Sequence, residues 1–188
     1  MPVYNGTIYN DFLFGSFGND TMYGNEGNDS IYGQGGNDYI DGGIGNDYID
    51  GGDGADIIFG RAGNDNVFGG NGSDLLIGEA GADTLSGGND TDYLFGGADK
   101  DVLLGGAGND FVYGGYGNDI LTGGTGADVF YFGSLLEGVD VIKDFQRANL
   151  LVRLFQTTGQ FLLTDQTKSM NLVLKEQKIT NNKKRINF

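Results

Sequence analysis

Aspartate recurs at every ninth position over most of this 188-residue chain. Carboxylate oxygens are the ligands that Ca²⁺ and other hard cations prefer. A single binding site needs two or three acids, so this repetition indicates a row of cation sites instead. The fourteen aspartates of the register are Asp11, Asp20, Asp29, Asp38, Asp47, Asp56, Asp65, Asp74, Asp83, Asp92, Asp101, Asp110, Asp119 and Asp128.

Fixed residue types surround each of these aspartates. A large apolar residue, here called U, lies two positions later, as Ile31 does after Asp29. Glycine lies four positions later in every repeat except the last, where Phe132 stands, and seven positions later in most repeats. Asp90 and Asp99 are the interior exceptions at that last position. The repeating unit is therefore the nonapeptide G-G-x-G-x-D-x-U-x.

The composition excludes several classes of chemistry. The chain has no histidine and no cysteine, which excludes a Ser-His-Asp triad, an HExxH zinc site and any disulfide. Its 37 glycines would suit a disordered chain, but 38% of the residues are hydrophobic and 23 are Phe or Tyr. The glycines therefore serve a folded backbone.

Charge is divided unevenly along the chain. Residues 1–140 carry 23 acidic side chains and two basic ones, Arg61 and Lys100, whereas residues 141–188 carry nine basic and three acidic side chains. The phosphates of a nucleic acid would be repelled by the acidic part. Cations are its natural partners, and we expect no nucleic acid partner.

The N-terminal segment has neither the basic region nor the apolar core of a secretory signal peptide. No apolar run approaches the roughly 20 residues of a membrane helix. We therefore expect no transmembrane segment, and any export must follow a route that is not read from the N-terminus.

The repeat also predicts the elements that position the aspartates. Only three residues per repeat, for example 30–32, lack turn chemistry, which predicts a very short strand followed by a six-residue turn. Such strands are stable only when stacked in a parallel ladder, in which alternate side chains face opposite sides. Two repeats per coil place all U residues in one interior. The predicted core is Leu13, Met22, Ile31, Ile40, Ile49, Ile58, Val67, Leu76, Leu85, Leu94, Leu103, Val112, Leu121 and Phe130.

The nonapeptide closely resembles the RTX (repeats-in-toxin) family, the hemolysin-type calcium-binding repeats of secreted bacterial proteins. The resemblance covers about residues 6–133 and implies an all-β fold, a right-handed parallel β-roll (solenoid), here of about seven 18-residue coils. It also implies that the motif aspartates and turn carbonyls of neighbouring coils bind Ca²⁺, so all fourteen aspartates are expected metal ligands, with no catalytic residues. Full GGxGxD matches occupy residues 42–47, 51–56, 69–74, 105–110, 114–119 and 123–128.

Seven coils leave six gaps on each side of the roll, which gives about twelve Ca²⁺ ions at most. The alternative is that the aspartates merely favour turns, but the long register and the acidic charge favour metal binding. Whether Asp90 and Asp99 interrupt the ion columns or add sites stays open at this point. Lys100 and Arg61, which stands at the second glycine position, are further irregularities.

The repeat ends at Gly133, so we predict a calcium-binding roll at 6–133 and a C-terminal capping segment at 134–188. The apolar runs LLVRLF, QFLLTD and MNLVLKE predict two or three strands that form a C-terminal β cap on the last coil. The resemblance implies an uncleaved type I secretion signal in this segment, although its end, NNKKRINF, is basic.

One outer face of the predicted roll is unusually apolar, with Asp41 as its main polar residue. Aromatic and β-branched residues are common in strands, but such a face also favours contact with the C-terminal segment or a partner. Its residues are Tyr39, Ile57, Phe59, Leu75, Ile77, Tyr93, Phe95, Phe111, Tyr113, Val129 and Tyr131.

These observations favour a secreted, extracellular bacterial protein without catalytic activity, which folds when it binds Ca²⁺ and serves as a structural or adhesive module. Its expected partners are calcium ions, a type I secretion apparatus and a surface or protein partner. The alternative is that the chain is the C-terminal RTX part, or an accessory, of a secreted protease, lipase, epimerase or hemolysin. Ice binding is disfavoured because the turns lack a threonine ladder.

Overall fold

The computed structural model describes residues 1–133, 137–144, 151–154 and 162–163, the last two ranges by their backbone alone. The regular structure in these residues consists of strands. Within the same residues, no helix has the length and apolar character needed to cross a membrane. The MNLVLKE run, and most of the segment expected to hold a secretion signal, lie outside the described residues.

Among the described residues, eighteen strands form two parallel sheets of nine strands each. Sheet A contains β1 (Val3–Asn5), β3 (Thr21–Glu26), β5 (Tyr39–Ile44), β7 (Ile57–Ala62), β9 (Leu75–Ala80), β11 (Tyr93–Ala98), β13 (Phe111–Tyr116), β15 (Val129–Phe132) and β17 (Leu151–Leu154). Sheet B contains β2 (Phe12–Phe14), β4 (Ser30–Tyr32), β6 (Tyr48–Asp53), β8 (Asn66–Asn71), β10 (Thr84–Asn89), β12 (Val102–Ala107), β14 (Ile120–Thr125), β16 (Val141–Ile142) and β18 (Leu162–Leu163).

Consecutive strands of the chain alternate between the two sheets, so each strand pairs with those two places before and after it. Ile40 pairs with Ile58 in sheet A, and Leu85 pairs with Leu103 in sheet B. The register is 18 residues in both sheets as far as β15, and it lengthens to 21 or 22 residues where β16, β17 and β18 join. The predicted parallel β-roll with two repeats per coil is therefore confirmed.

Most interior strands have six residues, longer than the three that turn chemistry predicts, whereas β4 has the predicted three. Strand β7 has six residues, and its pairing with β9 runs from Ile57 to Phe59, skips Gly60 and resumes at Arg61. Because successive coils have nearly the same shape, the first half of each turn also stacks on the turn of the next coil. The ladder of hydrogen bonds therefore continues past the bend.

The core lies between the two sheets and consists mainly of the predicted U residues. Those from Met22 to Leu121 are fully buried, and Phe130 is 2% exposed. Leu13, in the first coil, is only partly buried and packs against this core. Burial of each such side chain contributes about 1.5–3 kcal/mol, so one column of apolar residues joins the two sheets.

Both sheets extend beyond the nine-residue register, so the stack is longer than the predicted seven coils. At the N-terminal end, Tyr4 of β1 pairs with Met22, and the carbonyl of Pro2 accepts a hydrogen bond from Thr21 N at 3.0 Å. Asp11 accepts the corresponding bond from Ser30, so Pro2 occupies an aspartate position. At the other end, β17 and β18 lie in two of the predicted capping runs, and both join the sheets in parallel.

Candidate metal centres

The fourteen motif aspartates form two columns that run along the stack of coils. Each aspartate directly precedes a strand, as Asp56 precedes β7, and members of one column are one coil apart. The first column, before the strands of sheet B, contains Asp11, Asp29, Asp47, Asp65, Asp83, Asp101 and Asp119. The second column, before the strands of sheet A, contains Asp20, Asp38, Asp56, Asp74, Asp92, Asp110 and Asp128.

From Asp29 onward, one oxygen of each column carboxylate is anchored to the preceding coil. The backbone N–H of Asp47 donates to Oδ1 of Asp65 at 2.8 Å, and that of Asp56 donates to Oδ1 of Asp74 at the same distance. Equivalent bonds of 2.8–3.1 Å join all neighbouring members of both columns, from Asp11 with Asp29 to Asp110 with Asp128. Adjacent coils thus fix the orientation of every carboxylate from Asp29 onward.

The second oxygen, Oδ2, is buried without a hydrogen-bond partner in most of these aspartates. A buried carboxylate oxygen without a partner is costly, and its presence points to a cation as the partner that the fold provides for. Asp11 and Asp20 differ, because their Oδ2 atoms accept hydrogen bonds within the first coil. The unpartnered Oδ2 atoms belong to Asp29, Asp38, Asp47, Asp56, Asp65, Asp74, Asp83, Asp92, Asp101, Asp110 and Asp119.

Each of these oxygens lies beside the first glycine of its own motif. A Cβ placed on Gly42 would lie 2.6 Å from Oδ2 of Asp47 and 2.9 Å from the carbonyl oxygen of Gly60, in the next coil. Carboxylate and carbonyl oxygens therefore approach the same small volume, which only glycine leaves free. Ca²⁺ binds such oxygens, six to eight at a time, so the donor set fits calcium.

Backbone carbonyls are needed to complete such a coordination shell. Among the residues that the structure describes, no three acidic side chains lie close enough together to hold one ion. Carboxylates of the two columns could therefore supply only part of the oxygens that one cation requires. Carbonyl groups of the glycine-rich turns would have to supply the others.

From Asp29 onward, burial raises the pKa of the carboxyl groups in both columns. Removal from water is the largest cause and raises the pKa of Asp47 to about 7 and that of Asp101 to about 8. The hydrogen bond from the preceding coil opposes this rise, and the charges of neighbouring aspartates, such as Asp65 beside Asp47, add to it. Buried like charges at this spacing favour either protonation or a bound cation.

The two irregular repeats leave the columns continuous. Asp90 and Asp99 each adopt a φ of +75°, the left-handed conformation that glycine takes in other repeats. The hydrogen bonds within the columns continue through both repeats. The backbone N–H of Asp74 donates to Asp92 Oδ1, and that of Asp83 donates to Asp101 Oδ1. The side chains of Asp90 and Asp99 are exposed, and the coil path is preserved.

Arg61, the irregular residue at a second glycine position, is accommodated outside the columns. Its guanidinium donates to Asp41 at 2.7 Å and to Glu79 at 2.8 Å, and it lies 4.6 Å from the ring centre of Phe59. These residues belong to β5, β7 and β9. The substitution therefore links three coils on the outer face of sheet A.

The structure adds a fifteenth acid, Asp140, that the nine-residue register missed. Asp119 N donates to Oδ1 of Asp140 at 3.0 Å, and Ile142 is buried and pairs with Leu121. The separation from Asp119 is 21 residues because three extra residues precede this repeat. The strict register falls on Glu137, whose carboxylate instead accepts hydrogen bonds from Tyr113 Oη at 2.9 Å and Gly133 N at 3.0 Å.

A sequence signal for Asp140 was present, since residues 138–142 follow the order Gly-x-Asp-x-Ile. Gly138 has a φ of +126°, as the third glycine of other repeats does. Burial raises the pKa of Asp140 to about 7, as it does for the ladder aspartates. A search that allowed short insertions would have found this repeat.

A second ladder, formed by asparagines, was also missed. Asn28 Oδ1 accepts the backbone N–H of Asn46, one coil later, at 2.8 Å, and Asn46 Oδ1 accepts that of Asn64 at 2.7 Å. These side chains bond to the following coil, whereas the aspartates bond to the preceding one. The frequent pair Gly-Asn-Asp was the visible signal, but the repeat alone does not show the direction of either bond.

The comparisons with known proteins agree with this geometry. A family model for four copies of the RTX calcium-binding nonapeptide repeat matches residues 5–40, 32–67, 41–76, 68–103 and 95–130. These segments contain all fourteen aspartates of the two columns. No individual curated protein matches the chain.

Proposed function

We infer the function from the premise that this chain belongs to the RTX calcium-binding nonapeptide repeat family. It is a calcium-binding β-roll module. We propose that it is a secreted bacterial protein that folds outside the cell as it binds Ca²⁺, and that the folded roll is a structural or adhesive element.

The observation that carries this proposal is the set of buried, unpartnered Oδ2 atoms. Without a cation, the two columns are rows of desolvated like charges, which destabilise the compact chain. With Ca²⁺, the positive charge compensates them, so the binding free energy becomes folding free energy. The proposed ligands are turn carbonyls together with Asp29, Asp38, Asp47, Asp56, Asp65, Asp74, Asp83, Asp92, Asp101, Asp110, Asp119 and Asp128.

The proposed extracellular location follows from the same energetics. A chain whose columns require Ca²⁺ stays unfolded where free calcium is scarce and folds where it is plentiful. Passage through a type I secretion apparatus as an unfolded chain would suit this behaviour. The signal for that route, expected within 134–188, remains a prediction.

A structural role is favoured over a catalytic one by the equivalence of the repeats. A catalytic centre sets one group of residues apart, whereas here each column carboxylate from Asp29 to Asp128 has the same kind of anchor and the same glycine neighbour. The alternative, in which the roll is the tail or accessory of a secreted enzyme or toxin, uses the same calcium sites.

The outer face of sheet A is the surface that we propose for adhesion. Ile57 is 42% exposed and Tyr93 is 49% exposed. Neighbouring rings on this face lie in contact, with centroids 6.1 Å apart for Tyr93 and Phe111 and 5.2 Å apart for Tyr113 and Tyr131. A stiff roll holds these rings at fixed spacing.

A calcium titration of the whole chain at pH 8, followed by circular dichroism and size-exclusion chromatography, tests the proposal. We expect an extended chain in chelator and a compact β-structured chain after addition of Ca²⁺. Mg²⁺ serves as the matched control and should fold the chain poorly, because it demands a tighter octahedral shell. A chain that is equally compact in chelator would refute calcium-coupled folding.

A further inference from the structure

The first coil differs from the later ones at the second glycine position of the motif, four residues before each motif aspartate. Thr7 and Ser16 occupy this position in the first two repeats. In every later repeat up to Gly124 the residue there has a positive φ, even where it is not glycine, as at Asn25 (+78°), whereas Thr7 and Ser16 do not. A β-branched residue such as threonine strongly disfavours that conformation. The first two turns therefore follow a different path.

That path satisfies the carboxylate oxygen that is unpartnered in later coils. Asp11 Oδ2 accepts the backbone N–H of Thr7 at 2.6 Å and its hydroxyl at 2.8 Å. Asp20 Oδ2 accepts the N–H of Ser16 at 2.5 Å and its hydroxyl at 2.9 Å. Each oxygen thus has two donors, where Oδ2 of Asp29 or Asp38 has none.

We propose that Thr7 and Ser16 close the two carboxylate columns at their N-terminal end, so that Asp11 and Asp20 bind no calcium and the ligands begin at Asp29 and Asp38. This inference rests on the proposed function. Two hydrogen-bond donors already compensate the charge on each Oδ2 and occupy the space around it. A cation would have to displace them.

Asp20 has one remaining unpartnered oxygen, and its cause is local. Oδ1, the oxygen that is anchored in later coils, lacks a donor because the residue one coil earlier is Pro2, which has no N–H. The anchor is therefore missing, while the oxygen that faces the first glycine is satisfied. The first coil thus acts as an end cap of the solenoid, held by hydroxyl groups in place of metal.

The test is the number of Ca²⁺ ions bound per chain, measured by elemental analysis after equilibrium dialysis of the full chain. Asp11→Asn and Asp20→Asn should each bind as many ions as the wild type. Asp65→Asn and Asp74→Asn, the matched controls from the interior of the same columns, should bind fewer. The double variant Thr7→Gly with Ser16→Gly, which restores the motif glycines, should bind more ions than the wild type.

The outcomes separate this inference from the proposed function. Loss of ions from Asp11→Asn or Asp20→Asn as large as that from the interior variants would overturn the inference and leave the proposed function intact. An unchanged ion count in the double glycine variant would also overturn it. A wild-type chain that binds no calcium would overturn the proposed function and this inference with it.

Discussion

Asp47 and Asp65 are joined through only one of the two carboxylate oxygens of Asp65. Its Oδ1 accepts the backbone N–H of Asp47 at 2.8 Å, while its Oδ2 is buried without a partner. One oxygen thus maintains the coil stack, and the other is left for a cation. The same arrangement recurs along both columns, so mutation can separate the coil-stacking role of one oxygen from the proposed cation-binding role of the other.

Asp65→Asn should weaken calcium binding while leaving the coil stack in place. The amide oxygen can still accept the bond from Asp47, but the negative charge is lost. We expect the calcium midpoint of folding to rise by about tenfold or more, equivalent to about 1.4 kcal/mol. Asp50→Asn, which removes an acid of the neighbouring coil outside the columns, is the control in the same titration. Equal midpoints for the two variants would argue against Asp65 as a ligand.

Gly42→Ala should disrupt a calcium site without touching a carboxylate. The added Cβ would lie 2.6 Å from Asp47 Oδ2 and 2.9 Å from the Gly60 carbonyl. Overpacking of this kind costs about 1–3 kcal/mol, which urea unfolding in saturating Ca²⁺ would measure. Gly35→Ala is the matched control, because the nearest atom to its Cβ, the carbonyl oxygen of Asp53, is 3.6 Å away. If both alanine substitutions lower the free energy of unfolding by the same amount, the small volume beside Gly42 has no special role.

Acid should favour the folded chain when calcium is removed. Burial raises the pKa of Asp74 and Asp92 to about 7, and that of Asp38 to about 6, from the ordinary value of 3.8. A carboxyl group with a raised folded-state pKa binds more protons in the folded than in the unfolded chain. The metal-free roll is therefore most stable below about pH 4 and loses stability as the pH rises through 6 to 7.

Circular dichroism of the chain in chelator at pH 5 and pH 8 would measure this effect. We expect more β-structure at pH 5. In saturating Ca²⁺ the trend should reverse, because protons compete with the metal for the same carboxylates. Identical spectra at the two pH values in chelator would contradict the assignment of the columns as the pH-sensitive element.

Ile58→Ala should destabilise the roll by about 2–5 kcal/mol, since it leaves a cavity in the core. Ile58 is fully buried, whereas its neighbour Ile57 lies on the outer face. Ile57→Ala should cost about 1 kcal/mol or less. Urea unfolding of both variants in saturating Ca²⁺ gives the comparison, and a larger cost at Ile57 would place the core on the wrong side of the sheet.

Asp140→Ala should destabilise the C-terminal end of sheet B. It leaves the backbone N–H of Asp119 without its acceptor, at a cost of about 1–3 kcal/mol, whereas Asp140→Asn preserves an acceptor. Hydrogen exchange of the Asp119 amide should accelerate in the alanine variant and much less in the asparagine variant. Unchanged protection in Asp140→Ala would mean that another group holds that amide.

The sequence predicts the coil length, the core and the positions of the columns, because each depends on a strict period. A period of nine residues with one U position leaves few ways to bury Ile40 and Ile49 together. Most predicted strands were too short, since turn chemistry at Gly60 does not reveal that the turns of adjacent coils also pair.

The details of the columns depend on geometry that a repeat does not encode. The letters Asn46 and Asp47 do not indicate that one side chain bonds to the following coil and the other to the preceding one. Asp140 lies three residues after the position that the nine-residue register predicts. Another acidic residue, Glu137, occupies that position. The role of Thr7 and Ser16 depends on their hydrogen bonds to Asp11 and Asp20, which the repeat does not show.

The 18-residue register between neighbouring strands, which holds as far as β15, makes the coil a unit of length. Removal of any 18 consecutive interior residues would shorten the roll by one coil and leave every remaining side chain in an equivalent position. Removal of nine residues would shift every later strand from one sheet to the other. The apolar residues of the outer face of sheet A would then continue, beyond the deletion, on the outer face of sheet B. Growth and loss of such repeats in evolution can therefore change the rod's length freely in steps of two, whereas single steps also rotate its faces by half a turn.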